Sequence, residues 1–202
     1  MGNDTSRGAE PCVQPALLTR TSRELLGDRA LPTVLRTREV RFVLGPEGVG
    51  KTTVGRRLLG PNPLECDAEC VRKALNLAGR QGAWSAQLLE APDLLIDGLE
   101  CLHRRYGAVR LLGELLKARA LAGRPTVLIQ GPADTSVTLL YPELPCESRA
   151  TVLLRFPVGG GRRRYVTERC RSRGIDPARA ASVFALEPWS YAGVERSLDE
   201  LG

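Results

Sequence analysis

The chain has 202 residues, 43% of them hydrophobic, with a formal net charge of +6 carried almost wholly by arginine. That is enough for one sizeable core with a small appended bundle. No apolar run approaches the ~20 residues that span a bilayer, and Met1-Gly2-Asn3-Asp4 lacks the basic and then apolar order of a secretory leader. A single histidine, His103, leaves little room for Ser-His-Asp or Cys-His chemistry. The arginine excess points to phosphate-bearing or acidic partners, or to a solvated basic surface. The expected location is cytoplasmic, with no membrane partner and with all six cysteines (Cys12, Cys66, Cys70, Cys101, Cys146 and Cys170) as reduced thiols. Cys66 and Cys70 lack the second ligand pair that a zinc site needs.

Residues 1–15 read as a disordered tail, and 16–26 as a short helix ending at Gly27. Val40-Arg41-Phe42-Val43-Leu44 has the apolar, β-branched character of a buried strand. It runs into Gly45-Pro46-Glu47-Gly48-Val49-Gly50-Lys51-Thr52, which satisfies G-x-x-x-x-G-K-[ST] at every fixed position and is followed by Thr53 and a helix stopped by Gly60-Pro61. Such a loop curls its backbone N–H groups inward around a polyphosphate. Lys51 then reaches the β/γ-phosphates, and the Thr52 hydroxyl is placed to ligate Mg²⁺.

Further along, Leu64-Glu65-Cys66 reads as a short strand, with Asp67 as the N-cap of a helix that Gly79 and Gly82 break. Asp93-Leu94-Leu95-Ile96-Asp97 reads as a doubly covered strand ending in a carboxylate, which suits a Walker B aspartate holding Mg²⁺ beside Thr52. Val109, Leu112, Leu115, Leu116 and Leu121 recur at helical spacing. Thr126 to Gln130 is another buried strand, and the loop after it offers Asp134, Thr135 and Ser136 to a γ-phosphate. Thr151-Val152-Leu153-Leu154-Arg155-Phe156 is the last expected strand. After Gly159-Gly160-Gly161 only helices are expected, over 162–173, 177–186 and 190–201. The domain expectation is a nucleotide-binding α/β unit over 16–157 and a helical lid over 158–202.

In this order the elements resemble an AAA+ module over about residues 38–202 and, more narrowly, the nucleotide-binding part of the replication initiator DnaA and its short relatives of the Hda type. The resemblance implies a P-loop three-layer parallel sheet with a C-terminal three-helix lid. It also implies ATP or ADP with Mg²⁺ as cofactors and a protein partner or homo-oligomer. No helix-turn-helix follows the lid before Gly202, which favours the short, regulator-like relatives. Family members that hydrolyse ATP place a second acidic residue after the Walker B aspartate, where this chain has Gly98, with Glu100 two residues on. By order, Arg149 matches the arginine finger that acts on a neighbouring subunit's nucleotide. The lid's sensing arginine is replaced by Tyr191-Ala192-Gly193, with Arg196 one turn later. The implied behaviour is nucleotide binding with weak or absent hydrolysis, in a regulator or adaptor. Lys51, Asp97 and Arg149 are the candidate catalytic residues.

Two other readings stay open. The P-loop is also similar to that of small-molecule and nucleotide kinases, with Arg162, Arg163, Arg164, Arg169, Arg171 and Arg173 as a phosphate-clamping lid and Asp67 or Glu69 as the acidic group. The same arginines are candidates for contact with a nucleic-acid backbone. In the third reading the protein is a non-enzymatic adaptor stabilised or switched by nucleotide.

Overall fold

The computed structural model describes residues 16–21, 24–25, 32–102, 105–131, 140 and 144–202. The expected tail over 1–15, His103 and the candidates Asp134, Thr135 and Ser136 lie outside these residues. A six-stranded, all-parallel sheet organises the described chain. Its strands are β1 (Ala16–Thr21), β2 (Val40–Leu44), β3 (Leu64–Cys66), β4 (Leu94–Asp97), β5 (Thr126–Gln130) and β6 (Arg149–Arg155), in the spatial order β1-β6-β2-β5-β4-β3. The helices are α1 (Thr33–Thr37), α2 (Lys51–Arg57), α3 (Ala68–Gln81), α4 (Ala86–Glu90), α5 (Tyr106–Leu121), α6 (Gly160–Ser172), α7 (Ala181–Phe184) and α8 (Tyr191–Asp199).

Strand alternation divides the core into two layers. Val40, Phe42, Leu94, Ile96 and Leu128 face α3, α4 and α5, where they meet Val71, Leu75, Leu88, Leu112 and Leu116. Val43, Leu95, Val127 and Ile129 point to the opposite side, against Val54 and Leu58 at α2 and Leu35 of α1. Consecutive strand residues are therefore buried on both faces. This is why the strands read as continuous apolar runs rather than alternating ones.

The first element differs from expectation. Ala16–Thr21 is a strand, not a helix, and it pairs with β6 from Ala16↔Ala150 to Thr21↔Arg155. A short apolar run carries no local signal that separates helix from strand, so the partner strand decides.

The C-terminal helices have a core of their own. Val166 and Cys170 of α6 pack with Val183, Trp189, Val194 and Leu198. Phe156, just after β6, packs against both this cluster and the sheet layer that holds α2. Capping sets the helix entries: Asp176 accepts from the Ala178 N–H at 2.9 Å, and Ser190 caps α8 by accepting from the Gly193 N–H at 3.0 Å. The middle lid segment is shorter than expected and splits into a 3₁₀ turn, Pro177–Ala180, followed by α7. Glu195 of α8 draws α6 to it, accepting from Arg169 at 2.7 Å on both oxygens, from Arg173 at 2.5 Å and from Tyr165. Arg169, with help from Tyr165, holds the Glu195 carboxyl below the ordinary glutamate range despite partial burial.

One buried charge ties the layers together. Arg119 of α5 has no exposed surface and donates to the Thr126 hydroxyl at 2.8 Å and to the carbonyls of Leu88, Ala91 and Pro125 at 2.7, 2.9 and 3.0 Å. Burial, then the nearby Arg124, lowers its guanidinium to about 10, so it stays protonated at neutral pH. Among the described residues no helix is long and apolar enough to cross a membrane.

Candidate functional site

The C-terminal ends of β2, β5 and β4 stand side by side, with β5 between the other two. The loop Gly45 to Gly50 leaves β2, Asp97 ends β4, and the register Leu44↔Gln130 and Asp97↔Ile129 sets the buried Gln130 between them. This end of a parallel sheet is where its loops can build a site.

Val49 anchors the loop from below, fully buried beside Val54. Above it the loop winds around its own lysine: the Lys51 ammonium donates to the Gly45 carbonyl at 3.0 Å and the Pro46 carbonyl at 2.9 Å. Glu47 and Thr53 are exposed. Thr52, one residue after the lysine, donates its hydroxyl hydrogen to the Asp97 Oδ2 at 2.8 Å. That bond brings together the two residues that the sequence nominates for a divalent cation, from positions 45 residues apart. Gly48 has a φ of 71° and touches the lid: a Cβ there would lie 2.8 Å from the Ser190 Cβ. The loop therefore has glycine where a side chain would meet the C-terminal helices, an ammonium held on two of its own carbonyls, and a hydroxyl–carboxylate pair beside it. Such a set of donors suits an anion accompanied by a cation.

The residue after Asp97 explains itself. Gly98 has a φ of 115°, and a Cβ on it would fall 2.5 Å from the Ala68 Cβ and 2.6 Å from the Ala68 nitrogen. The first residue of α3 fills the space that a second carboxylate would need. The chain passes on into a 3₁₀ turn over Leu99–Leu102; the Glu100 side chain lies outside the described residues. On this flank is a cavity of about 570 Å³ lined by Thr52, Arg56, Glu65, Asp67, Asp97 and Gly98, together with Cys66, Ala68, Cys70 and Leu95. Arg56 spans its mouth in a bidentate pair with Glu65 at 2.6 and 2.7 Å.

One expectation is corrected here. Cys66 and Cys70 are not reduced thiols: a disulfide joins them, with a Cα–Cα distance of 5.2 Å. The strand end and first helical turn on either side of the Asp67 cap bring the two residues within bridging range. Arg149, the finger candidate toward a neighbouring subunit, stands apart from this chain's own loop. It opens β6 opposite Val40, at the other end of the sheet from the loop, and is only 7% exposed.

The lid arginines also divide. Arg169 and Arg173 are committed to Glu195, and Arg162 pairs with Glu187 at 2.8 Å while lying 5.4 Å from the Trp189 ring centroid. Arg163, Arg164, Arg171 and Arg196 are exposed. Sequence reasoning missed Ser190 and Ala68 as neighbours of the site. Ala68 follows the Asp67 cap and Ser190 opens the expected 190–201 helix, but nothing local says which loop a helix start will touch.

No protein-family model matches the chain, and no curated protein matches it in sequence. Among solved structures it is similar to one described as a DNA replication initiation factor, with a TM-score of 0.60 and 12% sequence identity over 83% of this chain. The match spans 56% of that structure's chain. Identity at this level speaks for the fold alone. The fold is α/β and AAA+-like: a P-loop parallel sheet covered on both sides, with a small C-terminal helical region.

Proposed function

We propose that the protein binds ATP or ADP with Mg²⁺ at the loop Gly45 to Thr52 and acts as a nucleotide-gated regulator or adaptor of the DnaA-related kind, with little or no hydrolysis. The observation that carries this reading is the 2.8 Å bond from Thr52 to Asp97, which joins the phosphate loop to the strand-end carboxylate. In this reading the backbone amides from Pro46 to Gly50 cradle phosphate oxygens. Lys51, held on two loop carbonyls, turns its charge to the anion, and Thr52 with Asp97 holds the cation. Bound Mg²⁺ supplies charge neutralisation of the phosphates. Among the described residues no group of three or more His, Cys, Asp or Glu is placed to hold a metal. In this reading a divalent ion at Thr52 and Asp97 shares its coordination with oxygens that the nucleotide brings.

Weak hydrolysis follows from Gly98. Orienting an attacking water needs a carboxylate or amide within hydrogen-bond reach, and the position after Asp97 is closed to any side chain. The lid contact of Ser190 on Gly48 gives nucleotide a route to the helical region, since whatever fills the loop must accommodate α8. The 16–157 and 158–202 units are then the two bodies that nucleotide couples. The exposed Arg163, Arg164, Arg171, Arg179 and Arg196 are groups of this helical region that an acidic partner, nucleic acid included, can reach.

Calorimetric titration of ATP and ADP, with and without Mg²⁺, into the wild type and Lys51→Ala tests the proposal, with phosphate release followed on the same samples. Tight wild-type binding that Lys51→Ala abolishes, with little release, is expected. Brisk basal release would overturn the regulatory reading, and no binding in any arm would overturn the nucleotide assignment.

A second reading, a small-molecule kinase, draws on the 570 Å³ cavity, which adjoins Thr52 and Asp97 and has Glu65 and Asp67 on its wall. A kinase would consume ATP only when an acceptor is added, so a panel of hydroxyl acceptors in the same release assay separates the two.

A further inference from the structure

Phosphate binding makes no use of the disulfide that forms part of the wall beside Asp97. Cys66, the last residue of β3, is 2% exposed, whereas Cys70, in the first turn of α3, is half-buried. Both line the cavity that also holds Thr52, Asp97 and Gly98. Cys70 and Asp67 also line a second cavity of about 410 Å³ between α3 and α4. The bond is thus part of a partition with open space on both sides.

The bridge encloses the turn Asp67-Ala68-Glu69. Asp67 accepts from the Cys70 N–H at 2.8 Å, and Ala68 is the residue that abuts Gly98. Gly98 follows Asp97 directly, and its backbone, with a φ of 115°, sets how β4 ends. A displacement of the Ala68 turn therefore reaches the carboxylate that holds Thr52 across a single residue.

We propose that Cys66 and Cys70 form a reversible thiol–disulfide modification site whose state fixes or frees Asp97 beside Thr52, with a small dithiol as reductant and a small disulfide as oxidant. In the oxidised form the bridge clamps Ala68 on Gly98. In the dithiol form the Asp67 cap and side-chain packing hold the turn without it, and the end of β4 gains freedom. The exchange balances without any other reactant. A thiolate of the reductant attacks the more accessible Cys70 sulfur, forming a mixed disulfide and expelling the Cys66 thiolate. The second thiol of the reductant then displaces Cys70, and the reductant leaves as its own disulfide. Two electrons pass to the protein, whose two thiolates take up the two protons that the dithiol loses. Oxidation by a small disulfide reverses each step. Cys170 is unsuited to this role, because it is fully buried and burial pushes its thiol up.

The effect on ligand rests on the nucleotide reading, so the test carries a readout independent of it. Full-length protein is treated with dithiothreitol or oxidised glutathione and alkylated, and its peptides are weighed. Amide hydrogen exchange and Mg²⁺–ATP titration are run on both forms. Cys66 and Cys70 should alkylate only after reduction, and reduction should speed exchange both at residues 68–71 and at residues 97–99. The Mg²⁺–ATP dissociation constant should rise severalfold on reduction. A Cys66→Ser/Cys70→Ser double variant should match the reduced form whatever the treatment, while Cys170→Ser keeps the full response. Cysteines that stay open to alkylation after oxidant would overturn the proposal, as would faster exchange at 68–71 with 97–99 unchanged. If neither form binds nucleotide, the nucleotide reading falls and the exchange result alone decides the redox site.

Discussion

Gly98 and Ala68 are in such close contact that the residue after Asp97 can carry no side chain without displacing the start of α3. A carboxylate lost by drift at an open position would be restored by one substitution; a position filled by a neighbouring helix would not. Gly98→Glu is therefore expected to leave phosphate release at its wild-type level. It should also lower stability by about 2–4 kcal/mol, combining a left-handed backbone with a side-chain clash. Release assays and thermal melting check both parts, and a marked gain in hydrolysis would refute the steric account.

The Thr52–Asp97 pair makes a metal-specific prediction. Thr52→Val keeps the side-chain shape and deletes the hydroxyl, and Asp97→Asn deletes the charge. A hydrogen bond to a charged group contributes about 1.5–3 kcal/mol. Each variant should thus weaken Mg²⁺–ATP binding about ten- to a hundredfold, while binding measured in excess chelator changes much less. Equal losses with and without Mg²⁺ would show that the pair supports the loop and not a cation.

Arg119 is the substitution expected to damage the fold most. Arg119→Met fills the volume but leaves the carbonyls of Leu88, Ala91 and Pro125 without their donor, at about 1–3 kcal/mol for each buried acceptor left unsatisfied. Arg119→Lys should recover little, because one ammonium cannot reproduce the planar fork that reaches both α4 and β5. Urea denaturation midpoints order the three proteins, and a lysine variant as stable as the wild type would refute the geometry.

Acid should loosen the C-terminal helices first. Glu195 is held below its ordinary value of 4.5, chiefly by Arg169. A carboxyl with a lowered folded value contributes stability that is fully present above 4.5 and is lost as pH falls through that lower value. In a Trp84→Phe background, tryptophan fluorescence reports on Trp189 among the C-terminal helices and should show a transition in that acid range. Glu195→Gln should be less stable at neutral pH and should lack the Glu195 component of the transition.

What the sequence made legible was local. The loop Gly45 to Thr52, the Asp97 strand and the Asp67 cap are each specified within a few residues, by glycines, by an unbroken aliphatic run or by a short polar side chain before a helix. What escaped depended on distant neighbours. Ala16–Thr21 has the composition of either helix or strand, and its pairing with β6 settles it. The burial of Arg149 is set by the strands around it, which its place in the sequence does not show. Gly98 read as a missing carboxylate, and only the packing of α3 shows why it is missing. Cys66 and Cys70 stand at a spacing that bridges only because a strand ends and a helix begins between them.

The sheet order has a consequence for biosynthesis. β6 lies between β1 and β2, so the strand that leads into the phosphate loop gains its second neighbour only from residues 149–155. A nascent chain that has not yet released this segment from the ribosome carries β2 with one edge open and β1 with no partner strand. Long-range pairings of this kind form late, and unpaired parallel edges invite association. The chain is thus most in need of chaperone protection while its phosphate loop is already made and the strand that completes it is still inside the exit tunnel.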